Sequence, residues 1–138
     1  MKESNFVKLI RKHLTIYNWF RIETTTVLGF PDMIGIAPQM DTIFVETKVA
    51  RSHRVSFSPH QFAMSKRLSE LSDKSAYVLV YDELAKPSLG AREILYGAWD
   101  VVKLQKTTQD VPILAVGWAA IHDYWRKRHE KSVENREL

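Results

Sequence analysis

The stretch Thr42–Val49 constrains the fold of this chain more tightly than any other. It reads as a β-strand in which Ile43, Val45, Thr47 and Val49 point one way while Phe44, Glu46 and Lys48 point the other. A carboxylate and an ammonium therefore share one strand face, two residues apart. Buried without partners, each would cost several kcal/mol, on the scale of a small domain's whole stability. The two groups must be solvated, paired with each other, or part of a metal site. An ion pair on an exposed edge strand meets the same pattern.

The surrounding sequence supplies the other elements of an α/β domain. Phe6, Leu9, Ile10, Leu14 and Tyr17 recur at helical spacing and predict an amphipathic helix over residues 3–19. Arg21–Leu28 suits a strand, Gly29-Phe30-Pro31-Asp32 a turn, and Met33–Ala37 a second strand. After a polar, basic loop at Arg51–Val55, Ser58-Pro59-His60-Gln61 opens a helix. Ser58 serves as N-cap, Pro59 as the first helical residue and Gln61 as the returning side chain of a capping box. That helix runs to about Leu71 and is followed by an apolar, buried strand at Ala76–Tyr81. Signals weaken after Asp82, with a loop at Lys86–Gly90, a short strand at Ile94–Tyr96 and a last helix over Ala119–Lys131. The expected order is α-β-β-β-α-β with the Thr42–Val49 strand in the middle, in one domain spanning 1–138.

Composition narrows the function classes. The 138 residues include no cysteine, which excludes disulfide scaffolds, thiol catalysis and cysteine-containing zinc sites. The five histidines show no metal-binding spacing, and no glycine-rich phosphate loop is present. The longest uncharged apolar run, Val111–Ile121, is too short for a membrane span, and Lys8, Arg11 and Lys12 interrupt any leader-like stretch. These features predict a soluble, intracellular, cytoplasmic domain with no membrane partner. The net charge is +4. Between Glu46 and Glu70 lie Lys48, Arg51, Arg54, Lys66 and Arg67, with His53 and His60 among them and no acid. Such a stretch is either a solvated basic loop or a surface that attracts a polyphosphate backbone. Arg126-Lys127-Arg128, balanced by nearby acids, reads as a solvated helix end, and Trp118, Ile121 and Trp125 as core.

Asp32 changes the meaning of the Glu46–Lys48 pair. It begins the strand before theirs, and two strands joined by a tight turn can set Asp32 beside Glu46. Two adjacent carboxylates repel, and a divalent cation with oxygen ligands, such as magnesium, relieves the repulsion. Lys48 would then stand beside the ion, where it can orient or help deprotonate an attacking water, or neutralise charge developing on a phosphate.

With these pieces in place, residues 3–82 resemble the PD-(D/E)XK nuclease superfamily, and most nearly its virus-type replication-repair nuclease (VRR-NUC) domain. The matching residues are Gly29-Phe30-Pro31-Asp32, Glu46-Thr47-Lys48 and Ser58-Pro59-His60-Gln61, in the family's order and on the elements it uses. The resemblance implies a restriction-endonuclease-like core, a mixed central sheet flanked by helices. It further implies a magnesium- or manganese-dependent phosphodiesterase acting on DNA. Asp32, Glu46 and the backbone carbonyl of Thr47 would hold the metal and Lys48 would position the water. Gln61 would either support the site or serve only as the cap. The family's further acid on the first helix would be Glu3, which could equally be a favourable first-turn acid; Glu23 is the other candidate. Arg51, His53, Arg54, His60, Lys66 and Arg67 would hold DNA.

The expected function is a DNA endonuclease with residues 3–82 as its catalytic core and 83–138 as a C-terminal extension. A structure-selective Holliday-junction-type resolvase or a homing-type, sequence-specific enzyme are alternatives, each requiring a homodimer or homotetramer in which the extension could form the interface. A non-catalytic nucleic-acid-binding module of the same fold is the alternative from another class.

Overall fold

Thr42–Val49 forms an interior strand. In a computed structural model of the chain, which describes residues 1–22, 28–86 and 90–137, it is the core of β3 (Ile43–Ala50). The elements before it are α1 (Glu3–His13), β1 (Asn18–Arg21) and β2 (Met33–Ile36). Those after it are α2 (Pro59–Leu71), β4 (Ala76–Lys86), β5 (Gly90–Gly97), a 3-10 turn (Ala98–Asp100), α3 (Val101–Leu104), β6 (Ala115–Val116) and α4 (Trp118–Glu137). The six strands form one mixed sheet in the order β1-β2-β3-β4-β5-β6. Only β3 and β4, joined through α2, are parallel.

Helices cover both faces of this sheet. On one, Phe6 and Ile10 of α1 and Ile121 and Trp125 of α4 pack on Ile43, Val45, Tyr77, Leu79 and Leu95. On the other, Leu68 of α2, with Phe57, Leu104 and Val111, packs around Ala76, Val78, Val80, Ile94 and Tyr96. Phe44 joins this second cluster while Ile43 and Val45 join the first, so the alternation expected of β3 holds. With neighbours on both sides and layers above and below, β3 is not the edge strand that a plain surface ion pair would need.

The first helix is shorter than its periodicity predicts, ending at His13. Leu14 is fully buried, leaves helical geometry and gives its carbonyl to the Trp19 indole N–H at 2.7 Å. That bond satisfies a helix-end carbonyl from outside the helix. Trp19 in turn pairs with Gly35 across β1 and β2, so the chain turns into the sheet where the apolar spacing still looks helical. The strand expected at Arg21–Leu28 begins earlier, at Asn18, and residues 23–27, including Glu23, lie outside the described residues. Leu71, which ends α2, is exposed; the buried residues of that helix are Ser65 and Ser69. Residues beyond 82 complete the same sheet and core, with Leu95, Ala115, Ile121 and Trp125 in the larger cluster. Among the described residues, no helix is long and apolar enough to cross a membrane.

Candidate metal and nuclease site

Three separate segments meet where β3 passes under the start of α2. The β2–β3 register pairs Met33 with Val45, so one further step sets Asp32 opposite Glu46. The Thr47 backbone N–H donates to Asp32 Oδ1 at 2.9 Å, and the Thr47 hydroxyl donates to Oδ2. Asp32 is thereby fixed against the strand that carries Glu46 and Lys48.

The third segment is the first turn of α2. Ser58 Oγ accepts from the Gln61 N–H at 3.1 Å, and the Ser58 N–H donates to Gln61 Oε1 at 3.0 Å, completing the capping box. The same Gln61 side chain reaches the sheet. Its Nε2 donates to Glu46 Oε1 at 3.1 Å, and its Oε1 accepts from Lys48 Nζ at 2.9 Å. One amide thus closes the cap and also bonds Glu46 and Lys48, so the capping role leaves it free to reach the candidate site. Lys48 Nζ lies 3.8 Å from Glu46 Oε1 and 5.0 Å from the centre of the Phe57 ring, a cation–π contact on its other side.

One glycine joins these segments. Gly29 has φ +77°, and a Cβ there would sit 2.1 Å from the His60 carbonyl oxygen. The turn leading to Asp32 can therefore press directly on the first turn of α2, where Gln61 begins. Phe30 adds an edge contact to Phe44. The sequence showed a turn at this position but not what the turn touches.

Glu46 and Lys48 are 6% and 8% exposed. Burial, reinforced by the charge of Asp32 and offset in part by Lys48, pushes the Glu46 carboxyl up to about 8. Glu3, at the start of α1, adds a smaller push in the same direction, so its charge reaches the site. Asp32 is also raised, by burial first, against the opposing hydrogen bonds from Thr47. Among the described residues, no group of three or more His, Asp or Glu side chains is placed to hold a metal. Two carboxylates are nevertheless sufficient for magnesium, which keeps several waters and takes substrate phosphate oxygens to complete its octahedron. A cation between Asp32 and Glu46 would offset both the burial penalty and their mutual repulsion, so this donor set fits it.

The expected DNA-binding residues lie on the turn after β3 and along α2. Arg51 and Arg54 are exposed and paired across a tight turn at the end of β3. Ser52 and His53 at its centre have φ of 50° and 60°, the double left-handed pattern of a type I′ turn. The His53 carbonyl anchors the turn by accepting from the Thr108 N–H at 2.9 Å. His60 is exposed at the start of α2. Lys66 and Arg67 are exposed further along α2, and Lys66 borders a different depression beside Trp99. Comparison with protein-family models and with curated proteins returns no match for the chain.

Proposed function

We propose that the protein is a metal-dependent endonuclease that hydrolyses DNA phosphodiester bonds, with a restriction-endonuclease-like core of the PD-(D/E)XK type closest to VRR-NUC. The observation that carries this reading is the Asp32–Glu46–Lys48–Gln61 cluster. The Gln61 amide, from a third segment, bonds buried Glu46 and Lys48 at once, while Thr47 holds half-buried Asp32 beside them, an arrangement whose burial cost a structural role does not explain.

Asp32, Glu46 and the Thr47 carbonyl would hold magnesium, or manganese in its place. The bound cation supplies polarisation of the phosphate and acidification of a water. Lys48, fixed by Gln61 and Phe57, directs its ammonium toward the attacking water and toward negative charge developing on the phosphate. Attack in line with the leaving group breaks the bond to the 3′ oxygen. Gln61 bonds both Glu46 and Lys48, fixing their relative positions 3.8 Å apart. Arg51, His53 and Arg54 on the turn beyond Lys48 and His60 on α2 would hold the DNA backbone, without reading sequence.

Supercoiled plasmid incubated with magnesium or EDTA tests this. Magnesium-dependent nicking is expected, with loss of at least about a thousandfold in Asp32→Ala and Glu46→Ala, which remain folded. Full activity in either variant removes the site assignment, and no nicking by folded wild-type protein with magnesium leaves the non-catalytic module. A resolvase working as a homodimer or homotetramer is a second reading. It is favoured by apolar surface at the β1 edge of the sheet, where Phe20 of β1 is 52% and Ile36 of neighbouring β2 45% exposed. Gel filtration and four-way-junction cleavage separate it from a monomeric nuclease.

A further inference from the structure

The connection between α2 and β4 is held in a costly shape. Asp73 and Lys74 have φ of 51° and 62°, left-handed values that side-chain-bearing residues adopt infrequently. Arg128 of α4 holds them there. Its guanidinium donates to the Asp73 carbonyl at 2.8 Å and also to the Lys74 carbonyl and the Tyr77 hydroxyl. So held, Lys74 places its ammonium 5.4 Å from the centre of the Trp99 ring. Trp99 is itself fixed. It meets Tyr77 edge-on, and it lies so close over Gly97 that a Cβ there would approach the indole to 2.2 Å. The fold thus keeps a large aromatic ring half-buried at the surface with cations around it.

Two depressions share Lys74 and Trp99 and so form one groove. Lys66 borders one end; Tyr124, Lys127 and Lys131 border the other, where the cavity holds about 450 Å³. With Arg128, five cations line the groove against two acids, Glu70 and Asp73. The groove sits at the start of β4, beside the beginning of β3, whereas Lys48 and the Arg51–Arg54 turn lie toward the other end of β3. It is separate from the Asp32–Glu46 site.

We propose that this groove docks a single strand of nucleic acid. One base stacks on Trp99 where the Lys74 ammonium now rests, and neighbouring phosphates pair with Lys66, Lys74, Lys127 and Lys131. A flat aromatic platform flanked by cations suits unpaired bases and their backbone together. A duplex keeps its bases stacked inside and has no use for Trp99, and an acidic protein surface needs the lysines but not the indole. The proposal rests on the nuclease reading only in taking nucleic acid as the partner, and gives such an enzyme a second grip on its substrate.

The test is binding of a fluorescein-labelled oligothymidylate to the full chain in EDTA, so that cleavage plays no part. Trp99→Leu is expected to weaken binding by roughly five- to a hundredfold, the range for one lost stacking contact. Lys127→Glu with Lys131→Glu, both on the exposed face of α4, should weaken it at least about tenfold and flatten its salt dependence. Thermal unfolding confirms that each variant is folded, and the α4 pair keeps the test decisive if Trp99→Leu is not. Wild-type affinity in the α4 variant overturns the proposal, as does an equal loss of duplex and oligothymidylate binding in that variant, or displacement by polyglutamate as effective as by unlabelled oligothymidylate. Loss of nicking activity with oligothymidylate binding retained counts against the nuclease reading alone.

Discussion

Replacing Glu46 by glutamine should stabilise the folded protein in the absence of divalent cations. In the unfolded chain this carboxyl titrates near 4.5, and in the fold it is pushed up to about 8, by burial and by Asp32. Between those values the folded state holds a proton that the unfolded state has lost. Stability is therefore complete below about pH 4.5 and falls as pH rises toward 8. At about 1.4 kcal/mol for each pH unit, the ceiling is about 5 kcal/mol. Glutamine removes that loss but weakens the contact with Lys48 Nζ at 3.8 Å and perturbs the bond from Gln61. A net gain of about 1–3 kcal/mol at about pH 8 is expected, or a rise in Tm of roughly 3–10 °C for a chain of this size. Circular-dichroism melts of wild type and Glu46→Gln in EDTA, from about pH 5 to about pH 8, measure it. The difference should grow with pH, and magnesium at the higher pH should raise the wild-type Tm more than the variant's. A variant no more stable than wild type at pH 8, or a difference independent of pH, would refute the reasoning that Glu46 is held at the site against its own solvation.

Three further expectations use other parts of the site. Ser58→Ala should cost about 1 kcal/mol through the lost cap and leave nicking nearly intact, whereas Gln61→Ala should cost a similar amount and reduce nicking at least about tenfold; equal effects on nicking would return Gln61 to a purely capping role. Gly29→Ala should destabilise by at least about 1–3 kcal/mol, because it adds a Cβ against the His60 carbonyl at positive φ, and a variant melting with wild type would contradict that contact. Arg51→Ala with Arg54→Ala should lower the slope of log affinity for duplex DNA against log salt by about 1–2, and an unchanged slope would move the DNA path away from the turn.

What the sequence revealed was local. The period of two in Ile43–Val49 and the Ser58-Pro59-His60-Gln61 start of α2 depend on neighbouring residues alone, and both elements stand as expected. The meeting of Asp32 with Glu46 was a possibility of two consecutive strands, and the β2–β3 register supplies it. Long-range contacts were not legible. Helical spacing continues to Tyr17, but Trp19 captures the Leu14 carbonyl and draws the chain into β1. Nothing local marks Gly29 as the residue that seats the Asp32 turn on α2, and β6 is only two residues inside a run broken by Pro112 and Gly117. The basic triplet at 126–128 looked uniform, yet its members differ. Arg126 is ion-paired with Asp123 and Glu130 on the solvent side, whereas Arg128 turns inward to hold the α2–β4 connection. Charge counting could not separate them, because the distinction lies in which helix face each residue occupies.

The most direct measurement is anomalous diffraction from crystals equilibrated with manganese. The account predicts one strong peak within coordination distance of Asp32 and Glu46 carboxylate oxygens and the Thr47 carbonyl, absent in Glu46→Gln crystals. Ordered manganese elsewhere on the protein, with none between those two carboxylates, would contradict it.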